Sequence, residues 1–301
     1  MNQEEKTARS MQKKICELEK LATFEPVAFH FMSYVQDDKI SLSELSRWIA
    51  IDPILTSRVL KLANSSAYGF RGQISTVNLA TVIIGLKALR ELVWSISVMD
   101  QFTDQQKLID QRELVSLWLH SNYTGIAARY LAELAGYPAA GEAFVAGLLH
   151  DIGYQVFAQQ FPEIFCRIVE YSRIKKLTYH QAERELEEFS HSEVGAWLGE
   201  AWGFPATIVQ AMRFHHRAEE NDHLLITIVH LADLLAHSLS ERGKSATRSL
   251  SKISEGELLS GMRKIIRRNG HELSFYQERI LQEGEKLNDL FQDNTLMVMN
   301  V

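Results

Sequence analysis

The sequence predicts an all-α protein, in which an N-terminal helical lobe packs on a second helical bundle and a helical extension follows. Three observations support this fold class. Apolar residues recur at helical spacing almost throughout, helix start signals precede the apolar runs, and glycines follow them. No segment shows the alternation of apolar and polar residues that is typical of a half-buried strand.

The helix start and stop signals are specific. Ser41 with Glu44 forms a capping-box pattern, and Asp52 stands at an N-cap before Pro53 at the first helical position. Helix-ending glycines follow three apolar runs, at Gly85, Gly136 and Gly203. We therefore expect short helices joined by tight turns.

Composition along the chain separates three regions. Residues 1–110 form the predicted N-terminal lobe, residues 111–240 a histidine-rich bundle, and residues 241–301 a linker with C-terminal helices. The polar stretch 104–112 joins the first two regions. The segment 238–257 is rich in Ser, Lys, Arg and Gly, which predicts a mobile linker.

Charge and cysteine content limit the class of protein. The 301 residues carry a formal net charge of -6 with both signs mixed, so neither a nucleic-acid nor a membrane-surface footprint is expected. Cys16 and Cys166 lack metal or redox spacing and are expected to be reduced, buried thiols. With no apolar run long enough for a membrane span, we expect a soluble, cytoplasmic protein.

The pair His150 and Asp151 is the first candidate site. It ends an apolar run whose small residues, Ala146 and Gly147, would let another helix approach closely. Neighbouring residues on a helix differ by about 100° in direction, so one ion takes both side chains only near a helix end. Imidazole and carboxylate suit Zn, Fe, Mn or Ni. The pair alone is also typical of a hydrogen-bonded structural couple.

Further residues of ligand type stand on other predicted helices, at His120, His191, His215, His216 and Asp233. Asp233 interrupts an apolar run, and an uncompensated buried carboxylate costs several kcal/mol. A metal ion or a buried histidine would compensate it. His230 and His237 are expected to support these residues or to lie at the surface. Polar or mixed surroundings predict a surface position for the remaining histidines, His30, His180, His223 and His271.

The order of these residues is similar to the pattern of the HD superfamily of metal-dependent phosphohydrolases. The segment Asp52–Gly69 resembles the DPxLxxRxLxxANSAxYG signature of the HDOD family, as do Ile84–Arg90, Gly147–Gly153 and His191–Leu198. The chain is identified on these motifs as a member of that family over about residues 21–235. In the signature, Asn64 and Ser65 are expected to satisfy backbone groups at a helix end, and a packing role and a docking role both stay open.

The resemblance implies a metal site. His120, His150, Asp151 and Asp233 would surround one divalent ion, and His191, His215 and His216 would lie close enough for a second. The cofactor would be one or two ions of Fe, Mn, Zn or Ni, and catalysis, where present, would depend on Asp151.

The resemblance also implies a bacterial signalling output or scaffold module with a retained metal site and little catalysis. Its partner would be a signalling protein or a small nucleotide. The alternative is an active phosphohydrolase acting on a nucleotide or cyclic nucleotide. Active members often carry HDxGK, where this chain has Tyr154 and so lacks a cation to hold phosphate. Gly136-Tyr137-Pro138 resembles a cyclic-di-GMP phosphodiesterase motif but precedes His150 and is interpreted as coincidence.

Two features of the sequence bear on nucleic-acid binding. The helix pair 42–50 and 53–63 resembles a helix-turn-helix, but its second helix offers only Arg58 and Lys61 for phosphates. A basic cluster alternates with apolar residues, which is typical of the solvated face of an amphipathic helix, at Arg263, Lys264, Arg267 and Arg268. We expect no nucleic-acid partner.

Overall fold

A computed structural model describes residues 3–18, 41–70, 72–86, 89, 109–186 and 189–240, together with 278, 279 and 282. Every regular element within these residues is helical, which confirms the predicted all-α class. The basic cluster at 263–268, the linker beyond residue 240, His30 and His271 lie outside the described residues. The division at residues 110 and 240 stays a prediction, although one helix begins at Gln111 and another ends at Ser240.

Most of the described helices are short, and turns or short loops join those whose connection lies within the described residues. Their bounds are α1 Gln3–Cys16, α2 Leu42–Ala50, α3 Pro53–Ala63, α4 Val77–Ile84, α5 Gln111–Ala135, α6 Ala140–Leu149, α7 Ile152–Gln160, α8 Pro162–Lys175, α9 Tyr179–Leu186, α10 His191–Ala201, α11 Ala206–Phe214 and α12 Leu224–Ser240. None of these described helices is both long and apolar enough to cross a membrane.

Helices α2, α3 and α4 pack on one another, and the caps predicted there are confirmed. Ser41 and Glu44 form the capping box of α2, and the Asp52 carboxylate accepts a hydrogen bond from the Leu55 amide at 2.7 Å. Buried Asn64 follows α3, and its side-chain amide both donates a hydrogen bond to the backbone and accepts one from it. Its Nδ2 donates to the Ile74 carbonyl at 2.9 Å and its Oδ1 accepts from the Ile74 amide at 3.0 Å. These bonds give Asn64 the predicted structural role. The same prediction for Ser65 is wrong, because its buried hydroxyl makes no hydrogen bond within the described residues.

The bundle is built around α5. Helices α6 and α12 pack along it, α10 packs on α7 and α11, and α3 joins the lobe to α5 and α6. Gly147 makes the crossing of α5 and α6 close, since a Cβ there would lie 2.7 Å from the Thr124 carbonyl oxygen. The small residue at this position was predicted to allow such an approach, and the structure confirms it.

Turns at the helix ends agree with the sequence. The three predicted glycines have positive φ values of 79°, 68° and 72°, at Gly85, Gly136 and Gly203. Glycine adopts this left-handed region without the steric cost that other residues meet. Gly136 ends α5, so Gly136-Tyr137-Pro138 lies in a turn as interpreted.

The prediction that both cysteines are buried is wrong. Cys16 is exposed and Cys166 is half-buried, and neither forms a disulfide. Cys16 follows Ile15, whose side chain is fully buried. Successive side chains on a helix point about 100° apart, so the contact that buries Ile15 leaves Cys16 in solvent.

Candidate metal centre

The His150 and Asp151 pair stands at a break between two helices. His150 follows the last residue of α6, and Asp151 precedes the first residue of α7. Because the backbone changes direction here, both side chains face the same point, and His150 Nε2 lies 3.2 Å from Asp151 Oδ2. The other ring nitrogen of His150 donates to the Gly147 carbonyl at 2.7 Å, which fixes the ring.

His120 on α5 and Asp233 on α12 complete a first group around this pair. His120 Nε2 lies 3.3 Å from His150 Nε2, 3.0 Å from Asp233 Oδ1 and 3.5 Å from Asp151 Oδ2. Two ligands that share one ion at about 2.0–2.2 Å each stand at most about 4 Å apart. These separations therefore allow one ion between them.

A second group forms on the other side of Asp151. Ser190 caps α10 and so places His191 in its first turn, while His215 and His216 follow α11. His191 Nε2 lies 3.1 Å from Asp151 Oδ1, 3.3 Å from His215 Nε2 and 3.2 Å from His216 Nε2. The two oxygens of Asp151 thus face the two groups separately.

The structure brings together all seven residues that the sequence suggested, here named the His/Asp cluster: His120, His150, Asp151, His191, His215, His216 and Asp233. All but His216 are buried. Oδ1 of Asp151 and Oδ1 of Asp233 have no hydrogen-bond partner, although imidazole nitrogens stand within 3.0–3.6 Å of them. Nitrogen and oxygen donors with unsatisfied buried carboxylates fit one or two divalent ions.

Charge within the cluster shifts the pKa values of its members. Burial disfavours the charged form of His150, but the Asp151 and Asp233 carboxylates outweigh it and raise the pKa of this imidazole to about 10. Burial likewise opposes ionisation of Asp151, while the charges of His150 and His191 hold its pKa well below 3.8. The metal-free cluster is therefore expected to hold protons between its carboxylates and histidines.

Glu183 on α9 is a member of the site that sequence reasoning missed. Its side chain is 1% exposed, and its carboxylate accepts a hydrogen bond from His191 Nδ1 at 2.9 Å. This bond leaves Nε2 of His191 facing the cluster. Glu183 belongs to a run of acidic residues that has the composition of a solvated helix face, so nothing local in the sequence distinguished it.

The prediction that His180 lies at the surface is wrong. Its ring stacks on His216 with centroids 3.8 Å apart, because the first turn of α9 lies over the cluster. His223 is half-buried before α12, where its Nδ1 accepts a hydrogen bond from the Leu225 amide at 3.3 Å. His230 Nδ1 donates to the His215 carbonyl at 2.6 Å, which is a supporting position. His237 lies beside Asp233 and His120.

A cavity of about 70 Å³ opens on the cluster. A buried water needs roughly 10–15 Å³, so this space suits a few waters or a small anion. Buried Tyr154 stands at its wall and stacks on His191 at 4.1 Å, and burial raises the pKa of its hydroxyl well above 10. The residues that line this pocket are Ser116, Leu117, His120, Asp151, Tyr154, Tyr179, His180, His216 and His237.

Comparison with known proteins identifies the family and the fold. The family model described as "HDOD domain" matches residues 21–218. An uncharacterized protein of Treponema pallidum is 28% identical over 207 residues, which are 66% of this chain. The alignment covers 39% of that relative, so the chain spans about two fifths of its length.

Two solved structures share the helical arrangement. The MmoQ response regulator from Methylococcus capsulatus is 25% identical with a TM-score of 0.64, and the match covers 88% of this chain and 99% of that chain. A virulence factor from Campylobacter jejuni is 18% identical with a TM-score of 0.62, covering 87% and 98%. The second likeness shows the fold alone.

Proposed function

Because the chain belongs to the HDOD family, we propose that it is a signal-transduction module that retains a site for one or two divalent ions and has little catalytic turnover. Its likeness to a protein named as a response regulator supports the signalling part of this proposal. The His/Asp cluster carries the metal part, since its buried carboxylate oxygens lack hydrogen-bond partners.

The residues would divide between two ions. His120, His150 and Asp151 Oδ2 would hold one together with Asp233, whose Oδ1 lies 3.0 Å from His120 Nε2 and 3.6 Å from His150 Nε2. Asp151 Oδ1 with His191, His215 and His216 would hold the other. The ion would be Fe, Mn, Zn or Ni, because imidazole and carboxylate suit these metals. A divalent ion in such a site supplies Lewis-acid polarisation of a phosphoryl oxygen.

The chain's own residues argue against efficient phosphoryl chemistry. Tyr154 offers an uncharged hydroxyl where the HDxGK pattern that active members often carry has an ammonium, and its ring is held by stacking on His191. Losing one preorganised donor to a developing charge commonly costs about 3–4 kcal/mol of barrier, or two to three decades in rate. The pocket therefore lacks the cation that would hold a phosphate at this position.

An active phosphohydrolase acting on a nucleotide or cyclic nucleotide is the second candidate. The observation that favours it is the pocket itself, since Asp151 and His216 line the cavity together with His180. A pure scaffold has no need for such access.

Elemental analysis after purification without chelator tests the metal site. We expect one to two equivalents of a transition metal in the wild-type protein and almost none in the double variant His150→Ala, Asp151→Asn. Exposed Asp222→Asn is the matched control and should keep the wild-type content. A wild-type protein that stays metal-free after incubation with Fe, Mn, Zn and Ni would contradict the proposal.

Turnover decides between the two candidates. Metal-loaded protein should give little or no hydrolysis of cyclic dinucleotides, cyclic mononucleotides, nucleoside triphosphates and a chromogenic phosphodiester. Clear hydrolysis that disappears in Asp151→Ala would replace the scaffold proposal with the hydrolase. If Tyr154→Lys also gives none, this position is not the sole missing part.

We propose a signalling protein or a small nucleotide as the partner, and the cytoplasm as the location. The net charge of -6 argues only against a nucleic-acid or anionic-membrane partner, because affinity for phosphates depends on clustered Lys and Arg. Titration with DNA and with anionic vesicles at low salt should give no binding; salt-sensitive binding to either would count against the proposed partner.

A further inference from the structure

His237 lies beside the His/Asp cluster but belongs to neither of its two groups. It stands one turn after Asp233 on α12, and its Nε2 lies 3.5 Å from Asp233 Oδ1. Its ring centroid is 4.4 Å from that of His120. The side chain is 49% exposed, whereas those of His120 and Asp233 are 8% and 3% exposed.

The donor atoms around His237 fit a common ion. One ligand atom each from His120, Asp233 and His237 lies within 4.8 Å of the other two. Asp233 Oδ1 is buried and has no hydrogen-bond partner, although it is 3.0 Å from His120 Nε2 and 3.5 Å from His237 Nε2. A cation between these atoms would satisfy that oxygen, which the neighbouring imidazoles leave without a hydrogen bond.

The place of His237 matters as much as its distance. It lines the pocket, so it approaches the first group from the side that solvent or a substrate would use. Catalytic metal sites keep one position open for water or substrate, whereas structural sites are closed by protein ligands. A histidine on this side would occupy the open position.

We propose that His237 is a further metal ligand that closes the coordination sphere of the ion held by His120 and Asp233. This inference rests on the proposed metal site and extends it. It assigns the low turnover to a closed site as well as to Tyr154. The competing explanation is that His237 only pairs with Asp233, four residues before it on the same helix, and binds no ion.

Diffraction at the zinc absorption edge from crystals of the full chain grown with Zn²⁺ locates the ion. We expect an anomalous peak at about 2.0–2.2 Å from His237 Nε2 as well as from His120 and Asp233. A peak that contacts His120, His150, Asp151 and Asp233 but has water in place of His237 overturns the inference and leaves the proposed function standing. A cluster without any peak overturns both.

Water-proton relaxation of the Mn²⁺-loaded protein tests the same point in solution. His237→Ala should add about one water to the inner sphere and weaken Mn²⁺ binding at least as much as loss of an outer-shell partner does, about 10–100-fold by chelator competition. At one equivalent of Mn²⁺, inorganic phosphate should then bind to the ion in the variant and not in the wild type.

Ser116→Ala is the matched control, since Ser116 lines the same pocket and offers none of the cluster's imidazole or carboxylate donors. It should leave the water count and the Mn²⁺ affinity unchanged. His237→Leu, which keeps much of the side-chain volume and offers no donor atom, replaces the alanine variant if that protein does not fold. Equal water counts in wild type and in the folded His237 variant would overturn the inference.

Discussion

At the scale of single residues, the cluster depends on the hydrogen bonds behind its histidines. His150 and His215 donate Nδ1 to the carbonyls of Gly147 and Met212 at 2.7 and 2.8 Å. His191 donates Nδ1 to a buried carboxylate instead. Each ring therefore presents Nε2 to the cluster, and its direction is fixed before any ion arrives.

We expect Glu183→Gln to weaken metal binding about 10–100-fold without unfolding the protein. The Glu183 carboxylate holds His191 Nδ1–H and raises the basicity of this imidazole, and the substitution removes the negative charge that does so. Competition with a chromogenic chelator measures the change. Exposed Glu185→Gln on the same helix is the control and should bind metal as the wild type does. Equal affinity in both variants would show that Glu183 is dispensable.

We expect the metal-free protein to lose stability as pH rises from 6.5 to about 10. The pKa values of His150 and His191 rise from 6.5 to about 10 because the carboxylates outweigh burial. Their contribution is full below the unfolded value and is lost as the folded groups deprotonate. Denaturant titrations at several pH values measure it, and Asp151→Asn should flatten the slope. The metal-loaded protein should lose less stability over this pH range, because the ion takes the place of the protons on His150 and His191.

The solvent exposure of three residues could not be predicted from the sequence. Glu183 and His180 both lie on α9, whose sequence is polar and has the composition of an exposed helix. Their burial comes from the placement of α9 against α8 and over the cluster, which is tertiary and leaves no local pattern. Cys16 was assigned from the usual burial of cysteine, a tendency that the orientation of α1 overrides.

At the scale of elements, the ends of several helices could be predicted from neighbouring residues in the sequence. The caps at Ser41 and Asp52 follow from short polar side chains that accept backbone hydrogen bonds, and the structure confirms both. The requirement that His150 and Asp151 stand at a helix end follows from helix geometry and also agrees with the structure. Such helix-end features depend on a few neighbouring residues, so they can be predicted from one sequence.

We expect Gly153→Ala to disrupt the contact between α7 and α10. A Cβ at Gly153 would overlap the His191 carbonyl oxygen and lie 2.7 Å from the carbonyl carbon. Overpacking of this kind costs about 1–3 kcal/mol, and here the displaced backbone carries His191. The free energy of unfolding, measured by denaturant titration, and the metal affinity should both fall.

Gly195→Ala on α10 is the control for this substitution, because its nearest atoms lie at the ordinary contact distance of 3.4 Å. It should change the free energy of unfolding much less. If both variants are equally stable, the approach of α7 to α10 is looser than the structure describes.

At the scale of the whole molecule, the cluster joins elements that are distant in sequence. Its residues come from α5, the break between α6 and α7, the start of α10, the end of α11, and α12. The family resemblance predicted this set because it fixes the order of the ligands along the chain. The packing angles that bring the ligand atoms of each group of three or four residues within 4.8 Å of one another are properties of the assembled bundle.

We expect removal of the metal to destabilise the bundle as one unit. An ion that binds the folded state at 100 times its Kd adds about 2.7 kcal/mol to the free energy of unfolding. Chelation should therefore lower the melting temperature and speed amide hydrogen exchange in α5, α10 and α12 together. Asp233→Asn should show no such dependence on chelator, and faster exchange confined to one helix would contradict the prediction.

The division of Asp151 between the two groups has a consequence for electroneutrality. The two negative charges of Asp151 and Asp233 balance one divalent ion. The positive charge of two divalent ions exceeds the negative charge of these carboxylates even when Glu183 is added. The surplus positive charge would face the pocket, and a counter-anion from solution would neutralise it. Anion affinity should therefore appear with the second equivalent of metal and be absent at the first. The stoichiometry of loading would then determine whether the pocket attracts a phosphate at all.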